Sequence, residues 1–185
     1  MSRWEPDGRR RLQEAALELY AEQGFGRTTA AAVAERAGLT ERTFFRYFAD
    51  KKEVLFGNEE RLRTVLADAA AAVVDTATPR DVVATGLEAV AVELDSHRES
   101  VLRRAAVIAS DPELRERELT KLMAWSAALA TVLRDRGATA PDVTAEVAVT
   151  VFRVAFQRWA GGSADGELAA HVREALDDLT AFVRD

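Results

Sequence analysis

The fifteen residues GLTERTFFRYFADKK (38–52) differ in character from the chain around them. They carry four cations against two anions, and four of the thirteen aromatics, within a 185-residue protein of formal net charge -6. Gly38 followed by Leu39 and Thr40 reads as a turn, with Thr40 capping a short helix over 41–48. Phe44 and Phe48 stand four apart and share one face of that helix. Immediately upstream, 30–37 forms another short helix that Thr28 or Thr29 can cap and Gly38 closes, where reversal of the chain calls for positive φ. Two short helices joined by such a turn have the dimensions of a helix-turn-helix. Val33, Ala34, Ala37 and Leu39 are then expected to bury against Phe44 and Phe48, leaving Thr40, Arg42, Thr43 and Arg46 outward. In such motifs those positions reach base edges in the major groove, where arginine can donate twice to guanine.

Working outward, the whole chain reads as helical, since no segment sustains the apolar-polar alternation of a strand. The pattern predicts an all-α protein of about nine helices, over 9–23, 30–37, 41–48, 51–76, 80–96, 98–109, 112–136, 142–160 and 166–184. Gly24, Asp111-Pro112, 137–141 and 161–166 supply the breaks, and Asp50 can cap the long 51–76 helix. Charge is unevenly placed: 1–52 carries a net +2, which leaves -8 for 53–185. That asymmetry suggests an N-terminal domain, 1–52, that meets a polyanion, and a helical domain, 53–185, that does not. The last two helices are apolar on more than one side. Val147, Val151 and Val154 line one, and Leu176, Leu179 and Val183 form a stripe on the other. One such face can pack internally while the second calls for a partner or for the centre of a bundle.

The segment GFGRTTAAAVAERAGLTERTFFRYFADKKEVLF (24–56) resembles the DNA-binding segment of tetracycline-repressor-like (TetR family) bacterial regulators. The likeness rests on Gly24-Phe25, Thr29, Val33-Ala34, Ala37-Gly38, Thr43, Phe44, Phe45, Tyr47, Phe48 and Lys51. It implies phosphate contacts from Thr29, Tyr47 and Lys51, and base or near-base contacts from Thr40, Arg42, Thr43 and Arg46. Phe45 departs from it, standing where the family often has a tyrosine that donates to phosphate, and Ala31 replaces a longer reader. The resemblance further implies a ligand-responsive repressor. It would bind a palindromic operator as a homodimer through its last two helices and be released by a small effector held in the C-terminal domain. Candidates to line that pocket are Leu94, Val101, Ile108, Met123, Trp125, Leu129, Phe152 and Phe156, each of which equally suits plain core. Such a lining favours an apolar or aromatic compound. The run 102–129 is similar to regulators whose effectors are acyl-CoA-like, and His97, Arg98, Arg103 and Arg104 could meet an anionic head group or simply face solvent.

Other classes are weaker. The chain has no cysteine and two histidines, and it lacks a Ser/His/Asp pattern, HExxH or a Gly-rich phosphate loop. No enzyme activity, metal or cofactor is expected. A helical adaptor that does not bind DNA is the remaining alternative. With no signal-like h-region and no apolar run of ~18 residues, the expected location is the cytoplasm.

Overall fold

A computed structural model describes residues 7–162 and 166–184, and among these every regular element is a helix. The order is α1 (Gly8–Gln23), α2 (Ala30–Arg36), α3 (Glu41–Tyr47), the single turn α4 (Glu53–Phe56), α5 (Glu59–Ala71), α6 (Pro79–Asp95), α7 (Arg98–Ser110), α8 (Pro112–Asp135), α9 (Pro141–Ala160) and α10 (Leu168–Arg184). The chain divides into two compact units, one made of residues up to Asn58 with Glu99–Glu118, the other of Glu59–Arg98 and everything from Leu119 onward.

The first unit is organised by α1, whose Leu12, Ala16, Leu19 and Tyr20 recur at helical spacing and are buried. Gly24, at φ 87, ends α1 and returns its N–H to the Tyr20 carbonyl at 3.0 Å. Phe25 then plugs into the core edge-on to Tyr20, with ring centroids 5.3 Å apart. The same core takes in Val54, Leu55 and Phe56 of α4 as well as Val107, Ile108 and Leu114. Packing therefore groups 53–58 and 99–118 with the helix-turn-helix, whereas the sequence reading ends that domain at 52. Arg104 reinforces the grouping: its guanidinium donates to the Leu55 carbonyl and pairs with Glu118 at 2.9 Å.

One expected element is corrected. The helix foreseen over 51–76 is two, α4 and α5, separated by Gly57 and Asn58. Glycine is a poor helix former, and the Gly57 carbonyl, instead of continuing a ladder, accepts from Arg9 Nη2 at 3.1 Å. Downstream, α5 stops at Ala71 because Arg136 takes up the carbonyls beyond it, reaching Val73 at 2.9 Å and Val74 at 2.6 Å.

In the second unit α6 packs against α5, α9 and α10, and α9 packs against α10. The start of α6 is fixed by a capping box between Thr78 and Asp81 with Pro79 in the first turn. The hydrogen bonds from Thr78 hold the Asp81 carboxyl below its ordinary range. Gly86 permits the close approach of α5, since a Cβ there would lie 3.0 Å from the Leu66 carbonyl oxygen and 3.2 Å from Ala70 Cβ. Asp95 accepts from the Leu168 N–H at 2.8 Å and so ties the end of α6 to the first turn of α10.

Candidate nucleic-acid interface

The turn between α2 and α3 is built as its residues dictate. Gly38 takes φ 66, Leu39 returns its N–H to the Ala34 carbonyl at 2.8 Å, and Thr40 caps α3 by accepting from Thr43 N at 3.2 Å. Phe44 is fully buried and packs on Phe48 at 5.6 Å between centroids, with Val33, Ala34 and Ala37 buried in the same core and Leu39 packed against it. That inner aromatic face fixes which way the outer one looks. Thr40, Arg42 and Arg46 are exposed and Thr43 is half-exposed. The Thr40 and Thr43 hydroxyls share a hydrogen bond of 3.0 Å, and the Arg46 guanidinium leans on Tyr47, 5.0 Å above its ring and 3.4 Å from its hydroxyl.

Tyr47 is half-buried against the start of α1, where a Cβ on Gly8 would stand 3.3 Å from its hydroxyl oxygen. Thr29 is exposed at the N-terminus of α2 and caps it, accepting from Ala32 N at 3.1 Å. Thr28 is buried instead, its hydroxyl donating to the Gly24 carbonyl at 3.0 Å.

Lys51, expected to meet a phosphate, is turned inward. Its ammonium donates to the carbonyls of Phe25 at 2.8 Å, Thr28 at 3.0 Å and Gly26 at 3.5 Å, and lies 4.2 Å from the centre of the Phe25 ring. Its own carbonyl accepts from the Tyr20 hydroxyl at 2.6 Å, and burial pushes that hydroxyl far above its ordinary titration range, with the Asp50 charge adding to the effect. Lys51 is thus a clasp between the loop before α2 and the segment after α3. Lys52 pairs with Glu113 at 2.7 Å. Arg36 is held by Glu22 at 2.9 Å and Glu18 at 3.2 Å, which raise its pKa still further while Arg36 lowers that of Glu22.

The sequence reading missed two positioning residues. Arg11 donates to the carbonyl of Ala37, the C-cap of α2, and the Arg9 guanidinium lies 5.0 Å from the centre of the Phe48 ring. Neither had a local signal beyond its charge.

The proposed effector-lining residues scatter. Trp125, Phe152 and Phe156 do come together, at centroid distances of 5.4 and 6.3 Å, in a run that continues to Trp159 at 5.5 Å. Leu129 is buried and Leu94 half-buried in the same unit. Met123 is 69% exposed, because two residues along α8 from Trp125 is more than half a turn away. Ile108 is instead part of the first unit's core, and Val101 also belongs to that unit. Arg98 stacks 4.8 Å from the centre of the Trp159 ring and donates to the Gly166 carbonyl at 2.9 Å; Arg104 is engaged as described, Arg103 lies 4.0 Å from Glu99, and His97 Nδ1 meets the Ser96 hydroxyl at 2.7 Å.

On α9 and α10, Val147 and Val154 are 38% and 37% exposed and Val183 is 74% exposed. Val151 and Leu176 are buried and Leu179 is half-buried. Together they line two adjoining apolar grooves. Salt bridges from Asp177 to Arg80 and from Asp178 to Arg158 fix polar residues beside them.

A helix-turn-helix that presents threonine and arginine, followed by a larger helical unit with a partly uncovered apolar face, defines a DNA-binding regulator. The comparisons agree. Residues 12–57 match the tetR family of bacterial regulatory proteins, and 77–184 match the MftR C-terminal domain. The chain belongs to the TetR family of transcriptional regulators, with a C-terminal part of the MftR type. It is 29% identical over 167 residues to a protein of Mycobacterium tuberculosis that carries the name mycofactocin biosynthesis transcriptional regulator MftR, covering 82% of each. Solved structures share the fold. The SmeT–triclosan complex superposes with a TM-score of 0.69 at 20% identity, covering 94% of this chain and 90% of that one. FadR of Bacillus subtilis, in complex with stearoyl-CoA, superposes with a TM-score of 0.64 at 17% identity, covering 91% and 95%. No helix among the described residues is long and apolar enough to cross a membrane.

Proposed function

We propose that this regulator is a repressor that binds a palindromic operator as a homodimer and is released by an apolar or acyl-type effector. The observation that carries the reading is the α3 face, where Thr40, Arg42, Thr43 and Arg46 look outward from a helix whose other side is locked by Phe44 and Phe48. Thr29 and Tyr47, at its margins, are the phosphate contacts; Lys51 positions rather than touches. Two reading helices about 34–36 Å apart enter successive major grooves, which is why dimer symmetry and operator palindromy go together. The valine and leucine stripe of α9 and α10 supplies the dimer surface, so that a second copy covers side chains that one copy leaves in water. The likeness to MftR points to genes of mycofactocin biosynthesis as the regulated set.

For the effector, the supporting observation is the aromatic run from Trp125 to Trp159. Among the described residues neither buried indole N–H has an acceptor, a state that costs about 1–3 kcal/mol per group. A ligand with an apolar body and a carbonyl or similar acceptor relieves that cost, and an acyl thioester is of this kind. The neighbour that holds stearoyl-CoA supports the same class.

A gel shift with the duplex upstream of the chain's own gene tests the reading. Wild type should give a discrete complex that stearoyl-CoA dissolves, and Arg46→Ala should weaken it by roughly 5- to 150-fold. Equal binding by wild type and the variant would remove α3 from the reading role. A complex indifferent to acyl-CoA would remove that effector class.

A further inference from the structure

Phe45 is an exposed phenyl ring on the outer side of α3. It is 53% exposed, yet not loose: its ring stands edge-on to the fully buried Phe44, with centroids 5.3 Å apart and planes at 80°. The core therefore aims it. Exposed Glu41 and Arg42 precede it by one helical turn and exposed Arg46 follows it, so the ring sits within the face that carries the DNA-directed arginines. It has no donor or acceptor, so it can make neither a phosphate nor a base hydrogen bond. In the floor of the major groove, the 5-methyl of thymine is the apolar group a side chain can meet.

We propose that Phe45 is a specificity-determining residue that reads a thymine in each half-site through its 5-methyl group. The inference rests on α3 being the reading helix. Arg42 and Arg46 hold the helix in the groove by hydrogen bonds, while Phe45 excludes water from the methyl and penalises a cytosine at that position. Its contribution does not involve phosphate and so is insensitive to salt.

The test uses the full chain and the duplex it selects from a random pool. Each thymine of that duplex is replaced singly by deoxyuridine, which deletes the methyl and nothing else. Wild type should lose about four-fold at one thymine per half-site, the factor expected for one buried methyl-sized group. Phe45→Ala should bind more weakly overall and show no further loss at that thymine, and Phe45→Leu should keep part of it, with unchanged salt dependence for both. Wild type that tolerates every such replacement overturns the proposal, as do equal losses in wild type and Phe45→Ala. Should Phe45→Ala fail to fold, Phe45→Leu carries the comparison, and a loss undiminished in that variant overturns the proposal. A protein that selects no duplex at all sinks the DNA-reading function as well, a distinguishable failure.

Discussion

Replacing Lys51 by methionine separates two roles that sequence alone confuses. Methionine keeps the length of the stem and deletes the charge, so the carbonyls of Phe25 and Thr28, at 2.8 and 3.0 Å, lose their donor. Hydrogen bonds to a charged group are worth ~1.5–3 kcal/mol each when dry. The side chain here is partly exposed, and water can replace the donor, so the pair together is worth about 2 kcal/mol after discounting. In urea that should lower the unfolding midpoint of the first unit by roughly 1 M at unchanged slope. The salt dependence of operator binding reads the other role. Each neutralised phosphate adds about 0.9 to the slope of log K against log salt, so one lysine per half-site would add about 1.8 in a dimer. The clasp geometry predicts that Lys51→Met is less stable yet keeps the wild-type slope. A variant of wild-type stability whose slope falls by about 1.8 would show that the ammonium leaves its carbonyls for DNA, and the reasoning would be wrong.

Two further substitutions probe the second unit. Gly86→Ala gains about 1 kcal/mol of helix propensity but drives a methyl to 3.0 Å from the Leu66 carbonyl on α5. Overpacking of that kind costs ~1–3 kcal/mol, so calorimetry should show a net loss of stability, and a gain would mean that α5 moves freely. Leu179→Asp, placed where both apolar grooves meet, should shift sedimentation toward monomer by at least 100-fold in dissociation constant, because symmetry introduces the charge twice. Unchanged sedimentation would put the dimer surface elsewhere.

The helix-turn-helix was legible because its signals are local. The Gly38 turn, the Thr40 cap on Thr43 and the Phe44–Phe48 pair each span no more than four positions, and each takes the conformation its chemistry favours. The split of 51–76 was not, although Gly57 stood in the string as a warning: what ends α4 is a carbonyl drawn to Arg9, 48 positions away. Met123 and Trp125, both candidates for the pocket lining, differ in exposure for an elementary reason, since residues two apart on a helix look in opposite directions. Ile108 reads as apolar and is buried, but burial alone cannot say in which unit.

Of the four cations that set 38–52 apart, Lys51 is held by backbone carbonyls and Lys52 by Glu113. The structure leaves Arg42 and Arg46 on the exposed side of α3, in a chain of net charge -6. Two outward cations on the reading helix release few counterions there, so α3 itself adds little to the sequence-independent part of DNA binding, which comes from phosphate neutralisation. The overall negative charge opposes it further at long range. On the proposed reading, discrimination comes from base edges: hydrogen bonds from Arg42, Arg46 and the threonines, and apolar contact from Phe45. A reading face of this kind binds weakly to arbitrary duplex and depends strongly on its half-site, which suits a regulator that must find one operator among many competing sites.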